Sequence, residues 1–178
     1  MQNKNFKIIN LCADIDDIVS KYDLLSEFKS FNLFSVDYFK NHKGCYAFYL
    51  NNINCVNDFV ENAKKHTLLS FRRYENTTHE RLFYIGKTNC SFWQRVCSGH
   101  LKAKSTAPNR TLANFLFGID KSLYKDYQES LKLWLQKNIT VKFLEIDKDS
   151  DINLIESCLI HLYQPPLNKD GCDEHTEE

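Results

Sequence analysis

Apolar residues recur along this chain at two periods, and the switches between them mark out its elements. Between residues 14 and 34, Ile15, Ile18, Val19, Tyr22, Leu25 and Phe28 fall at helical spacing. They predict a leading amphipathic helix, with a second short helix over 34–39. The run Gly44–Leu50, GCYAFYL, is short and aromatic, bounded by Lys43-Gly44 and Asn51-Asn52. It reads as a strand with Tyr46, Phe48 and Leu50 on one face. Over 55–70 the helical period returns through Val56, Phe59, Val60, Ala63 and Leu68, which we read as an inserted helix, with room for a strand over 68–73. Residues 81–86, RLFYIG, form a second strand, and Asn89 or Ser91 can cap the helix that follows and carries Arg95. Helices over 109–118 and 122–136, a strand over 139–146 and a last helix from about 150 to 163 complete the pattern. Pro165-Pro166 ends that helix, and the polar tail over 170–178 is expected to fray.

No repeat, low-complexity tract or linker interrupts the 178 residues, so a single domain over 1–178 is expected: a helical extension over 1–40, a core with insertions over 42–169, and the tail. Hydrophobic residues at 43% and aromatics at 13% argue against disorder. No apolar run approaches the roughly 18 residues that cross a bilayer. Residues 1–5 lack the apolar segment of a secretory signal, and the expectation is a cytoplasmic protein that does not engage a membrane. Seven irregularly spaced cysteines in a chain of this size point to reduced thiols. Cys97-Ser98-Gly99-His100 is half of a zinc motif with no second half at ligand spacing, so structural zinc is not expected.

A formal net charge of +0 argues against a polyanion partner until it is resolved along the chain. Residues 1–63 carry −2, residues 64–110 carry +8 and residues 111–178 carry −6. The basic third holds Lys87, Arg95, Lys102, Lys104 and Arg110, the cations we expect to meet nucleic acid.

Taken singly, the candidate chemical groups have ordinary explanations. Tyr46 and Tyr84 suit strands as core aromatics whose hydroxyls find a partner. Arg95, eleven residues beyond Tyr84, is by itself a surface cation. Glu156 stands four residues after Ile152, within or beside the stripe of Ile152, Ile155, Leu159 and Tyr163. A carboxylate there is costly unless a neighbouring Lys or Arg, or a bound cation, satisfies it.

The ordered set carries more information than its members. Gly44-Cys45-Tyr46, then Tyr84-Ile85-Gly86-Lys87-Thr88, then Arg95, His100, Glu156 and the ending Tyr163-Gln164-Pro165-Pro166-Leu167-Asn168 resemble the GIY-YIG nuclease superfamily, over roughly 42–103 and 139–169. The long segment between the two tyrosines resembles the insertions of restriction-type members. The resemblance implies an α+β fold: a small antiparallel sheet flanked by helices, the two motif strands paired, with the N-terminal helices and the inserted segment added to it. It implies a divalent-metal-dependent endonuclease acting on DNA, of restriction or defence type, leaving 5′-phosphate and 3′-hydroxyl ends. A homodimer would account for double-strand cutting. The competing reading is a non-catalytic nucleic-acid-binding module on the same scaffold.

By the same resemblance, Glu156 would hold one cation, Mg²⁺ with Mn²⁺ as a substitute. Tyr46 would activate the attacking water, helped by Lys87, Tyr84 or metal-bound water, because an unperturbed phenol with a pKa near 10 offers little phenolate at neutral pH. Arg95, and with it His100, would stabilise the pentacovalent phosphorane, and Asn168 would fix the geometry. His100 poses a geometric question. Four residues on an α-helix turn two side chains about 40° apart, whereas the five from Arg95 to His100 turn them about 140° apart, unless Gly99 ends or distorts the helix.

Overall fold

The computed structural model describes residues 29–30, 36–51, 61, 82–119, 121–163, 165, 167 and 168. Strand β1 (Lys29–Ser30) and helix α1 (Val36–Asn41) lead into β2 (Gly44–Leu50), and β3 (Leu82–Thr88) follows the insertion. Helix α2 (Trp93–His100), α3 (Ala107–Phe117), α4 (Tyr124–Asn138), β4 (Ile139–Glu145) and α5 (Asp149–Tyr163) complete the order. The sheet order is β1-β4-β2-β3 and every pairing is antiparallel. This is an α+β fold, a small antiparallel sheet flanked by helices.

β2 lies between β3 and β4, and its apolar side chains are buried on both faces. That explains why GCYAFYL is continuously apolar instead of alternating. On one side of the sheet Tyr46, Phe48, Phe83, Tyr84 and Phe143 pack with Phe92, Val96 and Leu112. On the other, Cys45, Ala47, Leu82, Ile85 and Leu144 meet the Ile152, Ile155, Leu159 stripe of α5. β3 changes register between Phe48↔Tyr84 and Tyr49↔Leu82, leaving Phe83 as an extra residue. This bulge puts Phe83 and Tyr84 in the same core cluster while Leu82 and Ile85 join the opposite one.

The joint of the sheet is Gly44, which pairs with Thr88 on one side and Glu145 on the other. Its φ is +140°, and a Cβ there would stand 2.1 Å from the Leu144 carbonyl oxygen. Only glycine fits.

Two elements differ from their sequence pattern. The leading helix expected over 14–34 does not extend through 29–30, where Lys29 and Ser30 pair with Phe143 and Lys142. The free edge of β4 captures that segment, and edge pairing outweighs the helical spacing of a few apolar positions. β3 runs to Thr88, past the expected end at Gly86, because Lys87 and Thr88 still pair with Cys45 and Gly44. The other described elements lie within about two residues of their expected bounds. The rest of the leading helix, the inserted helix apart from position 61, the strand over 68–73 and the tail fall outside the described residues. Among the described residues no helix is long and apolar enough to cross a membrane.

Candidate active site

The site is assembled around the hydroxyl of Tyr46. Its ring, fully buried on the central strand, crosses toward Gly86, its partner in the pairing of β2 with β3. A Cβ at position 86 would lie 2.5 Å from the Tyr46 hydroxyl oxygen and 2.6 Å from Cζ. The glycine of the second motif is therefore the space in which the tyrosine of the first one lies. Tyr84 stands two residues earlier on β3 with its ring 6.1 Å from that of Tyr46. Burial raises the pKa of both phenols, Tyr46 well above the ordinary value, and the Arg95 charge opposes this only in part. Both are neutral at rest.

Helix α2 brings two further groups to the same oxygen. Arg95 Nε donates to the Tyr46 oxygen at 3.3 Å, and His100 Nε2 lies 2.8 Å from it. Two side chains five residues apart share a face because the segment is wound as a π-helix, closed by i→i+5 bonds such as Leu101 N–H to the Val96 carbonyl at 2.9 Å. The geometric question raised by the spacing is thereby settled by the wider turn. Ser91 Oγ accepts from the Gln94 N–H at 3.2 Å at the start of this helix.

His100 is fully buried, and desolvation first, then the Arg95 charge, push its pKa down to about 3. Its Nδ1 lies 3.2 Å from Thr106 Oγ1, the N-cap of α3, which also accepts from the Asn109 N–H at 3.4 Å. Arg95 can only donate to the Tyr46 oxygen, and His100 Nε2 at 2.8 Å is an acceptor within reach of the buried Tyr46 proton, alongside the Tyr84 hydroxyl. We therefore assign the proton of His100 to Nδ1, donating to Thr106. Thr106 and Asn109 were not singled out from the sequence. Thr106-Ala107-Pro108 is a legible N-cap with proline in the first turn, but nothing in it points at His100.

Glu156 comes from α5 on the opposite side of the sheet and forms an ion pair with Lys87 at 2.7 Å. The Glu156 side chain keeps 16% of its exposure and Lys87 38%, so the carboxylate is largely withdrawn from water while the lysine has room to swing outward. Its charge acts on Tyr84 and Arg95, which places it beside the same cluster. Among the described residues no three His, Cys, Asp or Glu side chains converge as a metal cage. A single hard oxygen donor of this kind fits Mg²⁺ or Mn²⁺ that draws its other ligands from phosphate and water.

Asn168 sits at the outer edge of β3. Its Nδ2 donates to the Ile85 carbonyl at 2.8 Å, and its Oδ1 accepts the Ile85 N–H at 2.9 Å. With Leu167 N–H on the Phe83 carbonyl at 3.0 Å, the segment stands in for a further strand. Of the remaining cations proposed from sequence, Lys102 and Lys104 are exposed just beyond α2. Arg110 is half-buried and tied to Ser105 through its carbonyl at 2.9 Å and its Oγ at 3.2 Å.

No curated protein and no solved structure was found to match this chain. The family model for the GIY-YIG catalytic domain matches residues 44–178, which span both motif strands, Arg95, His100, Glu156 and Asn168. The chain belongs to the GIY-YIG nuclease superfamily.

Proposed function

We propose that this protein is a divalent-metal-dependent DNA endonuclease, serving in restriction or defence. The observation that carries the reading is the convergence of Arg95 and His100 on the buried Tyr46 hydroxyl, beside the Glu156 carboxylate. A raised phenol pKa removes the option of a resting phenolate, so Tyr46 must lose a proton as it gains one. His100 Nε2, 2.8 Å away, would take it. In the proposed step a water proton passes to the Tyr46 oxygen while the Tyr46 proton moves to His100 Nε2. The water oxygen forms its bond to phosphorus as the bond to O3′ breaks, and the leaving oxygen takes a proton from solvent. Pairing of Arg95 with the phosphate weakens its field on His100, one of the causes that depress the imidazole, and so makes the acceptor more basic when substrate is bound. The guanidinium also offsets charge developing on the phosphorane.

Glu156 would hold the cation once Lys87 swings aside, and the bound ion would supply Lewis-acid polarisation of a phosphate oxygen. Tyr84 or the released Lys87 would assist Tyr46 in activating the water, and Asn168 would hold β3, which carries both, in register.

The test is cleavage of plasmid and single-stranded DNA with Mg²⁺, Mn²⁺ or EDTA by wild type and Glu156→Ala. Metal-dependent cutting lost in the variant is the expected result. Binding without cutting by the wild type would instead favour a non-catalytic nucleic-acid module, and neither binding nor cutting would refute both readings.

A further inference from the structure

An open cleft of about 580 Å³ lies outside the catalytic cluster, lined by Lys102, Lys104, Lys125, Gln128, Glu129 and Lys132. Its lining is four lysines, one glutamine and one carboxylate, with no apolar or aromatic side chain. Glu129 is already engaged by Lys132, at 2.6 and 2.9 Å. Among the described residues Lys102, Lys104 and Lys125 have no carboxylate partner. Like charges gathered in one cleft repel unless an anion neutralises them. A lining without aromatic faces offers nothing for a base to stack on, so the chemistry is that of a phosphate backbone.

The two walls are fixed to each other and to the catalytic helix. One wall is the turn that leaves His100, where Ala103 has a φ of 50°, a left-handed conformation that residues other than glycine adopt infrequently. The Ala103 carbonyl accepts the Tyr124 hydroxyl at 2.7 Å, which seats the start of α4 against the turn. Asn109 Nδ2 donates to the His100 carbonyl at 3.1 Å and to the Lys104 carbonyl at 2.9 Å, so one side chain positions a catalytic-site residue and a cleft lysine together. The other wall is a single stripe of α4, with Lys125, Gln128, Glu129 and Lys132 at helical spacing. Lys125 and Lys132 belong to the acidic third of the sequence, which is why regional charge does not reveal them.

We propose that this cleft is a phosphate track for the substrate strand beyond the cleaved bond, holding the phosphodiester backbone without reading its sequence. The inference rests on the nuclease reading above. Its test is equilibrium binding to a duplex of roughly 30 base pairs in EDTA, which permits binding without cutting, across the roughly 50–200 mM salt range over which such contacts are lost. Each backbone contact contributes about 0.9 to the slope of log affinity against log salt. Lys125→Gln should therefore lower the slope by about 1, and Lys125→Gln with Lys104→Gln by about 2. Glu129→Gln removes the one negative charge of the cleft and should tighten binding, whereas damage to α4 would weaken binding in every variant. Unchanged slopes in both lysine variants of an enzyme that binds and cuts DNA overturn the track and leave the nuclease reading standing. A wild type with no duplex affinity overturns both.

Discussion

At the scale of single residues, Gly86 and His100 carry the most specific constraints. Gly86→Ala forces a methyl group into the Tyr46 ring, which has no free volume to yield into because it is fully buried. The expected cost is about 1–3 kcal/mol in urea unfolding, with cleavage falling by more than about 100-fold because the hydroxyl leaves Arg95 and His100. His100 gives a pH signature. Its folded pKa of about 3 lies below the unfolded value of 6.5, so the native state binds fewer protons between those limits. Its contribution to stability is complete above pH 6.5 and is lost as the pH falls toward 3, with a slope of up to roughly 1.4 kcal/mol per pH unit. Urea midpoints measured from pH 7 to pH 4 should fall more steeply for wild type than for His100→Gln. Equal slopes would mean that the imidazole is not buried in its neutral form. Tyr46, Tyr84, Gly86, Arg95, Glu156 and Asn168 were legible in the sequence as an ordered set, whereas the five-residue step from Arg95 left the facing of His100 open. Their contacts were not, because a hydrogen bond such as His100 to Thr106 depends on the relative placement of α2 and α3.

At the scale of elements, the π-helix and the covered edge of β3 decide whether those residues meet. Strands β2, β3 and β4 and the helices from α3 onward were legible in the length and spacing of their apolar runs, but β1 was read as helix, and the winding of α2 did not follow either, since α and π turns present much the same local pattern of apolar positions. If the wider turn exists to bring Arg95 and His100 onto one face, deletion of Ser98 should convert the segment to α-helical spacing and keep both side chains facing Tyr46, about 40° apart. Cleavage within about tenfold of wild type is expected for that deletion, against a loss of more than about 100-fold when an alanine is inserted after Ser98. Comparable losses in the two would refute the argument. At the edge of β3, Asn168→Ala strips partners from both the N–H and the carbonyl of buried Ile85. A destabilisation of about 2–4 kcal/mol is expected by chemical denaturation. Asn168→Asp should recover only part of it, because aspartate can accept from the N–H but cannot donate to the carbonyl.

At the scale of the whole molecule, the site joins two layers that the sequence presents as unrelated segments. Tyr46, Arg95 and His100 belong to the side of the sheet packed by α2 and α3, whereas Glu156 rises from α5 on the other side. Lys87 ties Glu156 to the sheet in the present arrangement, a strand residue whose ammonium neutralises the Glu156 carboxylate. A cation held at Glu156, as proposed, would therefore have to displace a bound positive charge, and its affinity would be set by that competition as well as by the carboxylate. Removing the competitor should strengthen binding of the ion while impairing turnover, a pairing that neither a purely structural lysine nor a purely catalytic one would give. Thermal melts in EDTA and in Mn²⁺ read the first half directly. Metal at ten times its dissociation constant stabilises the native state by about 1.4 kcal/mol. Lys87→Met should show its metal-induced rise at lower Mn²⁺ than wild type, Glu156→Gln should show none, and Lys87→Met should cut DNA more slowly at saturating metal. A rise that persists undiminished in Glu156→Gln would move the cation away from α5, and with it the bridge between the two layers.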